Sequence, residues 1–159
     1  VQVLKRLERD SRGAVLAEFC IALVPLLTTF FSFVQLSRIA TARLIVKHSA
    51  IVGARAAAVI ANGSNNNPGE KSGTNVAEVE GAVKAAMGPW WNKSGGVTAV
   101  NVTVNDSSSQ RDPYNWVEVT VTATYACNIP MGSIACGGKT KKLVERFRMP
   151  HQGAHYEME

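Results

Sequence analysis

The chain has 159 residues, 46% of them hydrophobic, and a formal charge of +5. Its basic residues gather mainly in segments 5–12 and 139–148 without a nucleic-acid-binding motif, so nucleic acid is not an expected partner. No Ser/His/Asp, Cys/His or paired-carboxylate arrangement can be assembled with local logic, which argues against an enzyme.

Residues 1–13 form a polar, basic leader carrying Lys5, Arg6, Arg9 and Arg12. Residues 14–36 read AVLAEFCIALVPLLTTFFSFVQL and hold a single charge, Glu18. As a helix they would run about 35 Å, enough to cross a hydrocarbon core of about 30 Å. The basic flank places the leader in the cytoplasm and everything after Leu36 outside. A cleaved secretory signal would have a shorter apolar run ending in a small-x-small site, and no convincing one is present. A plain signal anchor fits the length and flanks. It does not explain a carboxylate one turn inside the apolar run, where an ionisable group is expensive and by default marks function.

Gly13-Ala14-Val15-Leu16-Ala17-Glu18-Phe19 resembles the processing site of type IV pilin-like proteins. With Pro25 and Leu26-Leu27 added, residues 12–36 look more specifically like the TadE-type pseudopilins of Tad (Flp) pilus systems. The resemblance implies that a prepilin peptidase cuts between Gly13 and Ala14. It also implies that Glu18, with Phe19 and Pro25 as the rest of the signature, helps the subunit into a filament. The implied partners are the major pilin, other minor pilins, the prepilin peptidase and the inner-membrane assembly platform, with no catalysis and no cofactor. The implied location is the bacterial inner membrane, single pass, with incorporation into an extracellular filament as a further step. The chain is too long for the major Flp pilin of that family, and its large external part suggests a tip, priming or otherwise specialised role. A physical case stands beside the resemblance. Cutting after Gly13 creates an α-amine on Ala14, and pairing it with the Glu18 carboxylate of a neighbour removes two unpaired charges from lipid.

Past Leu36 no breaker appears until Asn62-Gly63, so residues 37–61 continue the helix outside the membrane. Pro25 is expected to bend it gently. The apolar positions Ile39, Leu44, Ile45, Ile51, Val52, Val59 and Ile60 alternate with Arg38, Arg43, Lys47, His48 and Arg55, as on an amphipathic helix. Residues 62–159 then form a small α+β domain. A polar loop, 62–74, leads to a second helix over 75–87 with Val76, Val79 and Val83 as its stripe and Gly88-Pro89 as its stop. Trp90 and Trp91 follow, as core packing, a membrane-surface contact or a partner surface.

From Val97 the period becomes two. Val100, Val102 and Val104 make one strand, and Val117, Val119, Val121, Ala123 and Tyr125 a second, antiparallel to it. A third, over 141–149, turns Leu143, Phe147 and Met149 inward, and the same register turns Glu145 inward. The predicted fold class is α+β and pilin-like: a long N-terminal transmembrane helix as spine, a second helix, and an antiparallel sheet of three to four strands laid on the outer half of the spine.

Cys127 and Cys136 lie outside the membrane, nine residues apart around a turn-forming sequence, and are expected to form a disulfide; Cys20 lies in the apolar run. No Cys-x2-Cys or nearby His makes a metal site with them. Gly137-Gly138-Lys139-Thr140 ends like a phosphate-binding loop, but Ser133 stands where the first Gly belongs, so it reads as a turn. His151 and His155 read as part of a solvated tail. The reading is a non-catalytic, membrane-anchored pseudopilin or minor pilin, and its rival is an uncleaved, signal-anchored module that binds a ligand or surface outside the membrane.

Overall fold

With Pro25 the only breaker before residue 62, the first part of the chain winds into one helix, α1 (Ser11–Ile60), of 50 residues. At 1.5 Å per residue it is about 75 Å long. The structure is a computed structural model and describes residues 11–60, 76–91, 96–107, 115–130 and 135–150. The leader before residue 11, the 62–74 loop, much of the 105–113 turn and the histidine-bearing tail lie outside those residues. Pro25 is carried inside α1. It has no N–H to offer the carbonyl one turn back. Two nearby hydroxyls bond backbone in the same region, Thr28 Oγ1 donating to Val24 O at 2.7 Å and Thr29 Oγ1 to Leu26 O at 2.9 Å.

The second helix, α2 (Val76–Met87), has Glu78 in its first turn and Lys84 in its last, both favourable to the helix dipole. It stops where expected. Gly88 takes a left-handed φ of 52°, and with Pro89 it opens a 3-10 turn, Gly88–Trp90. Three strands follow: β1 (Val97–Asp106), β2 (Trp116–Ala126) and β3 (Thr140–Pro150). They form one antiparallel sheet in the order β1-β2-β3. The register sets Val104, Val119 and Phe147 in one row, Val102, Val121 and Glu145 in the next, and Val100, Ala123 and Leu143 in a third. The period-two pattern therefore gives one apolar face, as the sequence predicts. The other carries Asn and Thr from β1, Thr from β2 and Arg from β3. The α+β, pilin-like layout is present, with three strands among the described residues.

The face that α1 lays on this sheet differs from the one its large apolar residues suggest. Ala42, Val46, Ala50, Ala54, Ala57 and Ala58 are buried, whereas Leu44 is 67% exposed and Val59 63%. Small residues win because the sheet and α2 both approach the helix closely. At Gly53 an added Cβ would lie 2.6 Å from Val83 Cγ2 and 3.3 Å from Val119 Cγ1. The core is thus a valine face from β2, a valine stripe from α2 (Val79, Val83) and an alanine face from α1, with Tyr125 and Met87 filling the ends.

This contact generates a prediction. Gly53→Ala gains about 1 kcal/mol of helix propensity but overpacks a stiff, fully buried valine at a cost of about 1–3 kcal/mol. A net loss of about 1 kcal/mol is expected in chemical denaturation of the detergent-solubilised protein, and a larger one for Gly53→Val. Equal or greater stability of Gly53→Ala would show that the helix does not touch α2 this closely.

Candidate functional site

The residues of the processing and assembly signature all lie on the free half of α1. Gly13, Ala14, Glu18, Phe19 and Pro25 fall within one uninterrupted helix and are all exposed. Open space surrounds Gly13. Ala14 and Glu18 are four residues apart and share one face, so an amine created at Ala14 would lie one turn from the Glu18 carboxylate. Around them Val15, Leu16, Phe19, Ile21, Leu23, Val24, Leu26, Leu27, Phe30, Phe33 and Leu36 are each more than a third exposed. None of the most apolar stretch of the helix is buried. By length and composition this helix could cross a membrane.

The free half ends at Gln35. Its side chain is fully buried under the turn that follows β2, where Nε2 lies 3.3 Å from Cys136 Sγ and donates to it. Cys136 is joined to Cys127 in the expected disulfide, Cα–Cα 6.6 Å. Cys127 N–H in turn donates to Lys139 O at 2.9 Å. Gly137, in the left-handed region at φ 69°, lets the chain turn back into β3, so the Gly137-Gly138-Lys139-Thr140 segment is a turn before a strand. One cost is visible at this junction. Among the described residues, Gln35 Oε1 is buried without a hydrogen-bond partner.

A second tie lies further along the helix. Glu145 does face α1, and Arg43 meets it, Nε to Oε1 2.7 Å. The carboxylate side chain is 16% exposed and the Arg43 side chain 70%, so the pair forms at the margin of the core. Sequence reasoning saw the inward carboxylate and the arginine but not that they meet, since they are far apart in the chain. Gln35 was missed altogether. A lone amide closing an apolar run was the available signal.

Trp90 and Trp91 are both half-buried against the core, and the Lys84 ammonium lies 4.9 Å from the centre of the Trp91 ring. On the outer sheet face, Asn105, Ser107, Trp116, Glu118 and Arg148 line an open groove of 320 Å³, with Arg148 and Glu118 ion-paired. Among the described residues no group of His, Cys, Asp and Glu is arranged to hold a metal ion. No protein-family model, curated protein or solved structure matches the chain.

Two stability predictions follow from the junction. An unpaired buried amide oxygen costs about 1–3 kcal/mol, so Gln35→Met, which keeps the volume and removes the orphan, is expected to stabilise the protein by about 1 kcal/mol in denaturant titration. A loss would mean that Gln35 has a partner worth keeping. Replacing both Cys127 and Cys136 by Ser is expected to cost about 2–3 kcal/mol, the loop-closure value for a short loop. Comparison of the oxidised wild type with the double variant measures it.

Proposed function

We propose that this chain is a non-catalytic, membrane-anchored assembly protein: a pseudopilin or minor pilin of a Tad-like type IV pilus. The observation that carries the reading is the division of one helix. Its second half is the core of the outer domain, and its first half is apolar, unburied and marked by one carboxylate, Glu18. An apolar surface with an embedded charge suits a subunit that is stored in lipid and later packed against like helices. Hydrophobicity alone cannot set register between helices in lipid, because the tails are as apolar as the side chains. A single pairing of Glu18 with the Ala14 amine of a neighbour would set it.

On this reading residues 1–13 are a cytoplasmic leader removed by a prepilin peptidase. The outer domain faces away from the cytoplasm, where its disulfide can persist. The partners are the peptidase, the major pilin, other minor pilins and the assembly platform of the inner membrane.

The deciding measurement is the intact mass and N-terminal sequence of the protein isolated from its native membrane or filament. Processing gives an N-terminus at Ala14; an N-terminus within or before the leader removes the amine and with it the pairing. Glu18→Ala is then expected to leave the protein in the membrane at normal abundance while abolishing its recovery in filament fractions. If filaments form normally with this variant, the carboxylate is incidental and the chain is an anchored binding module.

A further inference from the structure

The turn after Cys136 lies at the level where α1 changes from apolar to charged. The Gln35–Cys136 contact fixes one point of this level, and the Cys127–Lys139 hydrogen bond ties Lys139 to it. The Arg43–Glu145 pair gives a second, independent measure. Lys141 is four residues before Glu145 on β3, at most about 13 Å along the strand. That distance equals about nine residues of helix, which brings Lys141 down from Arg43 to about the level of Gln35. Leu36 is the last exposed apolar residue of the run, and Arg38 is the first charge after it.

Arg38, Lys139, Lys141 and Lys142 are all exposed, and together they make a basic collar where the helix leaves its apolar half. Among the described residues no carboxylate is paired with it. No Asp or Glu occurs between residues 19 and 69, or between 119 and 144. The nearest carboxylate along β3, Glu145, is already engaged by Arg43.

We propose that this collar binds the phosphates of anionic phospholipids in the headgroup layer of the membrane that α1 crosses. The inference rests on the membrane-spanning reading of residues 14–36 and extends it to the outer domain. Three lysines suit the task, because each is a point charge on a flexible stem that can reach a phosphate without a preset geometry. Each basic residue near an anionic surface strengthens association about fivefold. The attraction fades within a Debye length, about 10 Å at 0.1 M salt. Lys47, exposed and nine residues beyond Arg38, lies about 13 Å further from the membrane. It serves as an internal control.

The test uses the full chain in vesicles of phosphatidylcholine alone and of equal parts phosphatidylcholine and phosphatidylglycerol. Acetylation of each lysine by a water-soluble reagent is followed by peptide mass spectrometry. Labelling of Cys20 by a water-soluble maleimide reports insertion separately. The expected result is that Lys139, Lys141 and Lys142 react about fivefold more slowly in the anionic vesicles, that high salt removes the difference, and that Lys47 is unchanged. Equal rates in both vesicles, or equal slowing of Lys47, overturn the collar while a protected Cys20 keeps the anchor. A labelled Cys20 rejects the anchor itself, and the collar falls with it.

Discussion

One helix must satisfy two environments, and the rest of the structure depends on how it does so. Eleven large apolar side chains from Val15 to Leu36 are more than a third exposed. Keeping such a side chain in water forfeits about 1.5–3 kcal/mol when it is wholly exposed. At roughly half exposure, eleven of them forfeit on the order of 10 kcal/mol, as much as a whole domain's typical stability. The free half of α1 is long and apolar enough to cross a membrane. Lipid would cover it, and so would other apolar helices. The pilin-like cycle proposed above would supply both in sequence, a simple anchor only the first.

The second half solves the opposite problem. A helix that runs on without a break from an apolar, unburied half must be held by a domain with few elements, and large side chains would hold a sheet and a second helix at a distance. The alanines from Ala42 to Ala58 and the bare Cα of Gly53 let β2 and α2 reach the helix backbone, so dispersion contacts are dense although each residue is small. Individual alanines contribute little, and the close fit contributes through the valines opposite them. The same fit makes the outer domain rigid with respect to the helix. Its three strands, β1, β2 and β3, hydrogen-bond to each other in one register, and Val119, at the centre of the middle strand, packs toward Gly53.

The fold was legible where local chemistry decides it. Gly88-Pro89 marks the end of α2, and the alternation from Val97 and again from Val117 marks strands whose inner faces the structure confirms. Even the inward Glu145 follows from strand parity alone. What could not be read was the choice of face on α1. Leu44 and Val59 look like core positions by hydropathy, and alanine looks neutral; only the closeness of α2 and the sheet, a tertiary fact, makes alanine the buried residue. The site was legible for the same reason in reverse. Glu18 stands out because everything around it is apolar, a purely local contrast. Gln35 does not stand out as strongly, since an amide at the end of an apolar run is unremarkable until a disulfide turn is folded over it.

That turn explains how an anchor and a domain become one mechanical unit. The helix alone would leave the sheet and α2 attached only from Ile39 onward, with a free turn between that core contact and the end of the apolar run. The disulfide at Cys136 extends the contact to Gln35, one turn nearer the apolar half, using a weak sulfur hydrogen bond and full burial rather than a strong polar interaction. The Arg43–Glu145 pair joins helix and β3 two turns further on, beside the buried Ala42. Ties at Gln35 and at Arg43 resist bending of the helix beneath the sheet more than either could alone, because they restrain different turns. A force or a packing contact applied to the free half is therefore transmitted to the sheet as rotation of a whole body rather than absorbed at a joint. On the proposed function, that is the property a subunit would need for a register set at Glu18 to decide how its outer domain is presented.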